Sequence, residues 1–247
     1  MSEALVLRED RDGICYLTLN RPEKLNSLNV PLFAELKAHV DALQSQTEEI
    51  GCVVLRGAGR CFSAGHDLGD IAEGEKLPEP NFQANIIKAL SGLPQLVITA
   101  VHGHCYTGAL ELALAGDVII ASENAKIADT HAKWGLSPVW GLSQRLPARI
   151  GRDKALEMMM TCQTYSGAQA AEMGLAIACY PDDVFDAEVE AFCRKVLENS
   201  WYSLRGNKAL IDGSEGMSLE AGLAYEIANS PGIAPDAMKR ISGFGKK

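Results

Sequence analysis

Two glycine-containing segments place small residues where a strand gives way to a helix. They are residues 62–68 (FSAGHDL) and 103–112 (GHCYTGALEL). At a helix start the backbone N–H groups are unpaired, and the helix dipole adds partial positive charge. Two such amides that face each other would form an oxyanion hole. The alternative is that both segments are only tight turns.

The second segment also carries an acidic residue, Glu111, among aliphatic neighbours (110–115, LELALA). A carboxylate near a helix start can act as a general base or hold an attacking water molecule. Surroundings this apolar predict that Glu111 is at least partly buried and that its pKa is raised, which is itself a feature of functional sites.

The elements that must position these residues alternate along the chain. Strands are predicted over 14–19, 52–57, 97–101 and 118–121, and helices over 30–43, 86–93 and 109–115. Segment 73–82 has few apolar residues and is expected to form a mobile surface loop. This alternation is typical of an α/β protein, whose α/β part ends near residue 185. Beyond residue 150 the pattern predicts one strand, at 176–180, and helices over 154–160, 167–173, 184–198, 203–213 and 218–227.

Composition and missing motifs exclude several classes of protein. The 247 residues carry a net charge of −9, so nothing in the electrostatics favours nucleic acid or anionic lipid. No run of 18 apolar residues predicts a membrane span, and the N-terminus lacks the pattern of a signal peptide, so we expect a cytoplasmic protein. Seven scattered cysteines without a CxxC pair suggest a reducing compartment and no metal site. Without GxGxxG, GxxxxGK[ST] or GxSxG, hydride transfer, nucleotide hydrolysis and serine hydrolase chemistry lose their usual support.

Further stretches join the two glycine segments in a fixed order. Residues 20–28 (NRPEKLNSL) precede them, and 117–121 (DVIIA), 141–146 (GLSQRL) and 168–175 (AQAAEMGL) follow. Over about residues 5–185 this order resembles the crotonase (enoyl-CoA hydratase/isomerase) superfamily. The resemblance implies an α/β fold, a crotonase-like spiral of ββα units with a helical C-terminal oligomerisation region. It divides the chain into an acyl-CoA-binding core, 1–190, and a helical C-terminal region, 191–247.

The resemblance also assigns roles to individual residues. The backbone amides of His66 and Gly108 would form the oxyanion hole for a thioester carbonyl, and Glu111 would be a catalytic acid or base. The His66 side chain is then either a solvent-facing turn residue or part of the substrate site. Other positions match the binding of substrate and CoA, although exposed lysine and packed tryptophan are ordinary alternatives: Lys24, Ala64, His66, Asp67, Leu68, Trp134, Trp140, Phe244 and Lys247.

One position departs from the pattern of hydratases. Their second catalytic glutamate falls at His131, within 129–135 (DTHAKWG). Histidine can transfer protons near neutral pH, and a Glu/His pair would hold its protons differently from a Glu/Glu pair. Asp129 is a third catalytic candidate, either orienting His131 or acting as the acid. Alternatively, His131 only fills the pocket, and the activity differs or is lost.

The resemblance implies an enzyme that acts on acyl-CoA thioesters through a stabilised enolate, most simply an enoyl-CoA hydratase-type lyase. Isomerisation, thioester hydrolysis, decarboxylation and C–C cleavage remain alternatives, as does a non-catalytic acyl-CoA binder. Coenzyme A is part of the substrate, so no separate cofactor and no metal are expected. We expect a homo-oligomer, a trimer or a dimer of trimers, because the tail carries apolar residues without an obvious partner. Specificity should depend on residues 73–93 and 134–140.

Overall fold

The computed structural model describes residues 4–244, and within them nine strands form two sheets. The strands are β1 (Val6–Arg11), β2 (Ile14–Leu19), β3 (Cys52–Gly57), β4 (Leu96–Val101), β5 (His104–Tyr106), β6 (Val118–Ser122), β7 (Lys126–Ala128), β8 (Tyr165–Ser166) and β9 (Ala178–Tyr180). The α-helices are α1 (Val30–Leu43), α2 (Leu68–Glu73), α3 (Phe82–Ser91), α4 (Gly108–Ala113), α5 (Leu142–Ile150), α6 (Arg152–Thr161), α7 (Gly167–Glu172), α8 (Phe185–Leu197), α9 (Trp201–Gly213), α10 (Leu219–Asn229) and α11 (Ala237–Ser242). Two 3₁₀ turns span Pro22–Lys24 and His131–Trp134.

The larger sheet has six strands in the order β1-β2-β3-β4-β6-β9. Only the β1–β2 pair is antiparallel, and all other neighbours run parallel. Asp12 and Gly13 join β1 to β2 with positive φ angles of 51° and 81°, which suit a two-residue hairpin. The smaller sheet has the order β5-β7-β8.

Successive units of the chain contribute first to the six-stranded sheet, then to the layer of the three-stranded sheet, and then form a helix. β2 is followed by Leu28, which is bridged to His66, and then by α1; β3 is followed by Ser63, which is bridged to Cys105, and then by α2. The next units are β4-β5-α4 and β6-β7-α5. This repetition confirms the predicted spiral of ββα units, and it brings the two glycine segments side by side.

Both faces of the larger sheet are covered. One core contains Phe33 of α1, Ile87 of α3 and Leu110 of α4, and a second core holds Phe185 and Val189 of α8 against the opposite face. Strands buried on both faces have continuous apolar sequences, which explains why β3, β4 and β6 were predictable from composition alone.

The C-terminal helices α9, α10 and α11 contain no fully buried residue. The division of the chain at residue 190 stays a prediction, and helix α8 runs through that position. The structure corrects the expectation of a single strand beyond residue 150, because β8 also lies there; two residues are too few to give a periodic pattern. No helix among residues 4–244 is long and apolar enough to cross a membrane.

Candidate active site

Two backbone amides lie unpaired where the glycine segments meet. The parallel bridge between Leu28 and His66 uses the groups on either side of His66: Leu28 N–H donates to the Gly65 carbonyl, and Asp67 N–H donates to the Leu28 carbonyl. The His66 amide therefore points away from Leu28. Gly108 is the first residue of α4, whose first-turn amides have no partner within the helix. Neither amide donates to an acceptor within residues 4–244.

Close approach between the two segments explains both glycines. A Cβ on Gly65, whose φ is +101°, would lie 2.5 Å from the Tyr106 carbonyl oxygen. A Cβ on Gly108 would lie 2.6 Å from Cζ3 of Trp140 and 3.4 Å from the His66 nitrogen. Any side chain at either position would force the segments apart. The two unpaired amides are thus neighbours, and they can be so only because residues 65 and 108 are glycines without a Cβ.

Thr107 holds an unusual backbone conformation directly before Gly108. Its φ of 56° and ψ of −111° are rare for a β-branched residue, and such strain costs about 1–3 kcal/mol. Thr130 supports it twice: the two hydroxyl groups are hydrogen-bonded, and the Thr130 amide donates to Thr107 Oγ1. Sequence reasoning missed both threonines, because no residue pattern predicts a positive φ at a threonine.

Glu111 is buried, as predicted, with 1% of its surface exposed. Its Oε1 accepts hydrogen bonds from the backbone amides of Trp140, at 2.8 Å, and Leu142, at 3.2 Å. Burial raises the pKa of Glu111, while the two amides and His131 act in the opposite direction without cancelling the rise. One carboxylate oxygen is therefore fixed by the backbone, and the other is available for chemistry.

Glu111, His131 and Asp129 form a continuous buried array. His131 Nε2 lies 3.5 Å from Glu111 Oε2, and His131 Nδ1 lies 2.6 Å from Asp129 Oδ1. Asp129 Oδ1 also accepts a hydrogen bond from the His131 backbone amide at 3.2 Å. The structure thus brings together all three residues that the sequence analysis named as catalytic candidates. Of Asp129's two candidate roles, its contacts fit the orientation of His131.

The contacts of this array dictate where protons can reside. A carboxylate only accepts, so Nδ1 of His131 donates to Asp129, and Nε2 is left facing Glu111. Without a proton between them, an imidazole lone pair and a carboxylate oxygen would face each other at 3.5 Å. One proton shared by His131 and Glu111 removes this repulsion. Because the separation is 3.5 Å, a single water about 2.8 Å from each atom can bridge them.

Trp140 contacts the residues of both unpaired amides and also Glu111. It is buried, and its ring packs against His66, with ring centroids 4.8 Å apart, and against Phe33, at 5.2 Å. Its amide binds Glu111, and its carbonyl accepts a hydrogen bond from Arg145 Nη1 at 2.9 Å. Trp140 therefore contacts both glycine segments, and its role in shaping an acyl pocket stays a prediction.

The remaining predicted binding residues lie in different surroundings. Asp67 caps α2 and accepts hydrogen bonds from the side chains of Arg21 and Ser27, so its carboxylate ties residues 20–28 to the segment 62–68. Ala64 lies in the same segment and is partly buried. Lys24 and Leu68 are exposed, and Trp134 is 59% exposed at the end of its 3₁₀ turn. Phe244 is 92% exposed, and Lys247 lies outside the described residues.

The His66 side chain is not a simple solvent-facing turn residue. Its Nε2 lies 3.0 Å from Glu75 Oε2, and the same oxygen accepts a hydrogen bond from Gln83 Nε2 at 2.9 Å. Sequence analysis placed specificity within residues 73–93 but singled out neither Glu75 nor Gln83, because only the tertiary fold brings them onto His66. Within residues 4–244, no group of three His, Cys, Asp or Glu residues is arranged to hold a metal ion.

Comparison with known proteins identifies the family of this chain. The family model for enoyl-CoA hydratase/isomerase matches residues 9–233. Two relatives from Escherichia coli K12 are each 32% identical: 2,3-dehydroadipyl-CoA hydratase, with 100% of this chain and 97% of the relative aligned, and 1,2-epoxyphenylacetyl-CoA isomerase, with 97% and 94% aligned. The crystal structure of an enoyl-CoA hydratase from Bacillus anthracis superposes with a TM-score of 0.91 at 28% identity, covering 98% of this chain and 96% of that one. The chain belongs to the enoyl-CoA hydratase/isomerase family, and it is an enzyme of that family.

Proposed function

We propose that this enzyme hydrates the 2,3-double bond of enoyl-CoA thioesters, with Glu111 and His131 as a pair that carries one proton. The supporting observation is the buried contact of Glu111 Oε2 with His131 Nε2, beside two unpaired amides. The hydratase among the relatives supports water addition as the reaction. Coenzyme A belongs to the substrate, so the proposed reaction uses no separate cofactor.

The proposed reaction begins with the thioester oxygen between the amides of His66 and Gly108. Glu111 Oε2 removes a proton from water as the water oxygen bonds to Cβ, and the π electrons move onto the thioester oxygen as an enolate. Amides aimed at this developing charge contribute about 3–4 kcal/mol each. The enolate then re-forms its carbonyl, and Cα takes a proton from Nε2 of protonated His131.

Proton counting supports the pairing of these two residues. Before the reaction the proton resides on His131, where Asp129 stabilises the imidazolium; afterwards it resides on Glu111. The pair still holds one proton, and transfer across the 3.5 Å contact, or through one water, restores the starting state. A raised Glu111 pKa eases this exchange, because the two forms of the pair then differ less in free energy.

Thioester hydrolysis is the second candidate, and the Asp129–His131 contact favours it. An imidazole held through Nδ1 by a carboxylate can activate water for attack on a carbonyl carbon. The two reactions differ in product, because hydrolysis releases the free thiol of CoA and hydration does not.

The test is incubation with crotonyl-CoA while the enoyl absorbance and the release of free thiol are followed together. Loss of absorbance without thiol is the expected result. Thiol release would support hydrolysis instead, and retained binding without either signal would indicate a non-catalytic acyl-CoA binder. Glu111→Gln serves as the matched control, since it keeps the side-chain volume and removes the base.

We further propose that the enzyme acts as a homo-oligomer, a trimer or a dimer of trimers. The support is the set of large apolar side chains that α9–α11 and their connections expose: Ile211, Leu219, Leu223, Ile227, Ile233, Met238 and Ile241. Exposed apolar side chains that form a contiguous patch mark an interaction site. The seven free cysteines are consistent with action in a reducing compartment such as the cytoplasm.

A further inference from the structure

A second carboxylate lies next to the proposed oxyanion hole and has no part in the reaction above. Glu75 belongs to the segment between α2 and α3, and its side chain is 13% exposed. One of its oxygens, Oε2, receives two hydrogen bonds, from His66 Nε2 at 3.0 Å and from Gln83 Nε2 at 2.9 Å. Gln83 itself is 3% exposed, so this contact is held inside the protein.

The other oxygen of Glu75 has an unusual environment. Oε1 is buried, and no residue within 4–244 donates a hydrogen bond to it. Buried carboxylate oxygens are nearly always hydrogen-bonded, because a charged acceptor without a donor is costly. The two oxygens of the Glu75 carboxylate thus differ in their hydrogen bonds, because among the described residues Oε2 receives two and Oε1 receives none. Oε1 has the properties of an acceptor whose donor comes with a ligand.

The position of Glu75 relates this acceptor to the acyl group. The backbone amide of His66 is one of the two unpaired donors. The imidazole ring of His66 is hydrogen-bonded to Glu75 through Nε2, and it packs against the ring of Trp140. Trp140 in turn contacts Gly108 and, through its amide, Glu111. An acyl chain with its carbonyl at the His66 amide would have the rings of Trp140 and His66 beside it, and Glu75 is held at the far end of the His66 ring.

We propose that Glu75 Oε1 recognises a hydroxyl group at the distal end of the acyl chain, so that the preferred substrates are hydroxylated enoyl-CoA thioesters. This inference rests on the proposed function for the placement of the thioester. A hydroxyl group supplies the donor that Oε1 lacks, and a methyl end leaves Oε1 unpaired. A carboxylate end would face Glu75 with the same charge and is rejected. The enzyme would then differ in acyl selectivity from a hydratase of 2,3-dehydroadipyl-CoA, whose substrate ends in a carboxylate.

The experiment compares three saturated acyl-CoA thioesters of one chain length: hexanoyl-CoA, 6-hydroxyhexanoyl-CoA and adipyl-CoA. Titration calorimetry on the native protein gives each dissociation constant, and saturated thioesters bind without being hydrated. We expect the hydroxyl end to bind about tenfold or more tightly than the methyl end, as for a hydrogen bond to a charged group, and the carboxylate end to bind most weakly.

The variant Glu75→Gln replaces the hydrogen-bond acceptor at the position of Oε1 by a donor. His66 and Gln83 both donate, so the glutamine carbonyl must face them, and its NH₂ group takes the place of Oε1. A donor there should weaken the binding of 6-hydroxyhexanoyl-CoA relative to hexanoyl-CoA and strengthen that of adipyl-CoA. Glu79→Gln is the matched control, because it removes the same charge from an exposed position of the same segment and should keep the native ranking.

The ranking in the native protein decides the inference even if Glu75→Gln fails to fold. Equal binding of the three thioesters, or tightest binding of adipyl-CoA, would overturn it. An altered ranking in both glutamine variants would also overturn it, since net charge would then be the cause. Failure to hydrate crotonyl-CoA would refute the proposed function without altering this ranking, so the two failures can be told apart.

Discussion

Substitution of Glu111 by glutamine or by alanine should separate its catalytic role from its structural role. Oε1 accepts the amides of Trp140 and Leu142, whereas Oε2 faces His131. Glutamine can present its carbonyl to both amides and keep the 140–142 backbone in place. Alanine removes the acceptor, so two buried amides lose their partner. Both variants lose the proposed base, but only alanine should disturb the fold.

The structure sets the size of each effect. Loss of a general base lowers kcat by about 10²–10⁴-fold, or roughly 2.7–5.5 kcal/mol of barrier, and both variants should show this loss. Leaving two amides without an acceptor costs about 1–3 kcal/mol each, so Glu111→Ala should lose about 2–6 kcal/mol of unfolding free energy relative to Glu111→Gln. Urea unfolding measures the second quantity, and hydration of crotonyl-CoA measures the first.

The stability difference between the native protein and Glu111→Gln should also depend on pH. Burial raises the pKa of Glu111 above its ordinary value of 4.5, so the folded protein keeps this proton to higher pH than the unfolded chain does. As pH rises from the unfolded to the folded pKa, the unfolded chain releases its proton first, and the native fold loses stability. Glutamine does not titrate. Glu111→Gln should therefore gain stability relative to the native protein as pH rises above about 4.5.

Three results would refute this reasoning. Turnover by Glu111→Gln within about threefold of native, or roughly 0.65 kcal/mol, would show that Glu111 is not the base. Equal unfolding free energies for the alanine and glutamine variants would show that the two amide contacts do not support the 140–142 segment. A stability difference from native that is constant with pH would contradict the raised pKa.

Three further substitutions or measurements test other parts of the site and assembly. Gly108→Pro removes one unpaired amide and also places ring atoms against Trp140, so kcat should fall by at least about 10²–10³-fold; a crotonyl-CoA hydration rate equal to native would exclude that amide from the reaction. His131→Ala removes the proposed proton donor and should lower hydration of crotonyl-CoA by about 10²–10⁴-fold, whereas a rate equal to native would make His131 a bystander. Light scattering should give a multiple of the 26.5 kDa chain mass at micromolar concentration, and a 26.5 kDa particle would contradict the proposed oligomer.

Sequence reasoning located the buried strands and the long helices because their patterns are set by burial. Helix α1 was predicted with both its ends correct, since Asn29 caps it and its apolar residues repeat at helical spacing. Strand β1 was missed because only Val6 of its six residues is buried, and a strand at the sheet edge shows little of the apolar run of its neighbours. The shortest elements, β5, β7 and β8, carry too few residues for a period to appear.

The candidate site likewise contains residues that the sequence predicted and residues that only the structure revealed. Glu111, Asp129 and His131 were named as catalytic candidates through the family resemblance, and they do lie together. Glu75, Gln83 and the strained Thr107 were not named, because their significance depends on what they contact. The contact of Glu75 with His66 joins segments that neither periodicity nor composition connects. A sequence motif shows which functional groups a residue carries. Whether a carboxylate oxygen lacks a hydrogen-bond donor can be seen only in the tertiary structure.

The free amide at His66 has a consequence for how this position can change. The bridge to Leu28 engages only the groups of Gly65 and Asp67, so the direction of the His66 N–H is set by the strands and not by its side chain. Any residue other than proline would keep the same donor there. Under the proposed function, the backbone of this position would therefore serve every thioester alike, whatever side chain it carries. A replacement there would change the surroundings of the acyl group and leave the proposed oxyanion donor in place.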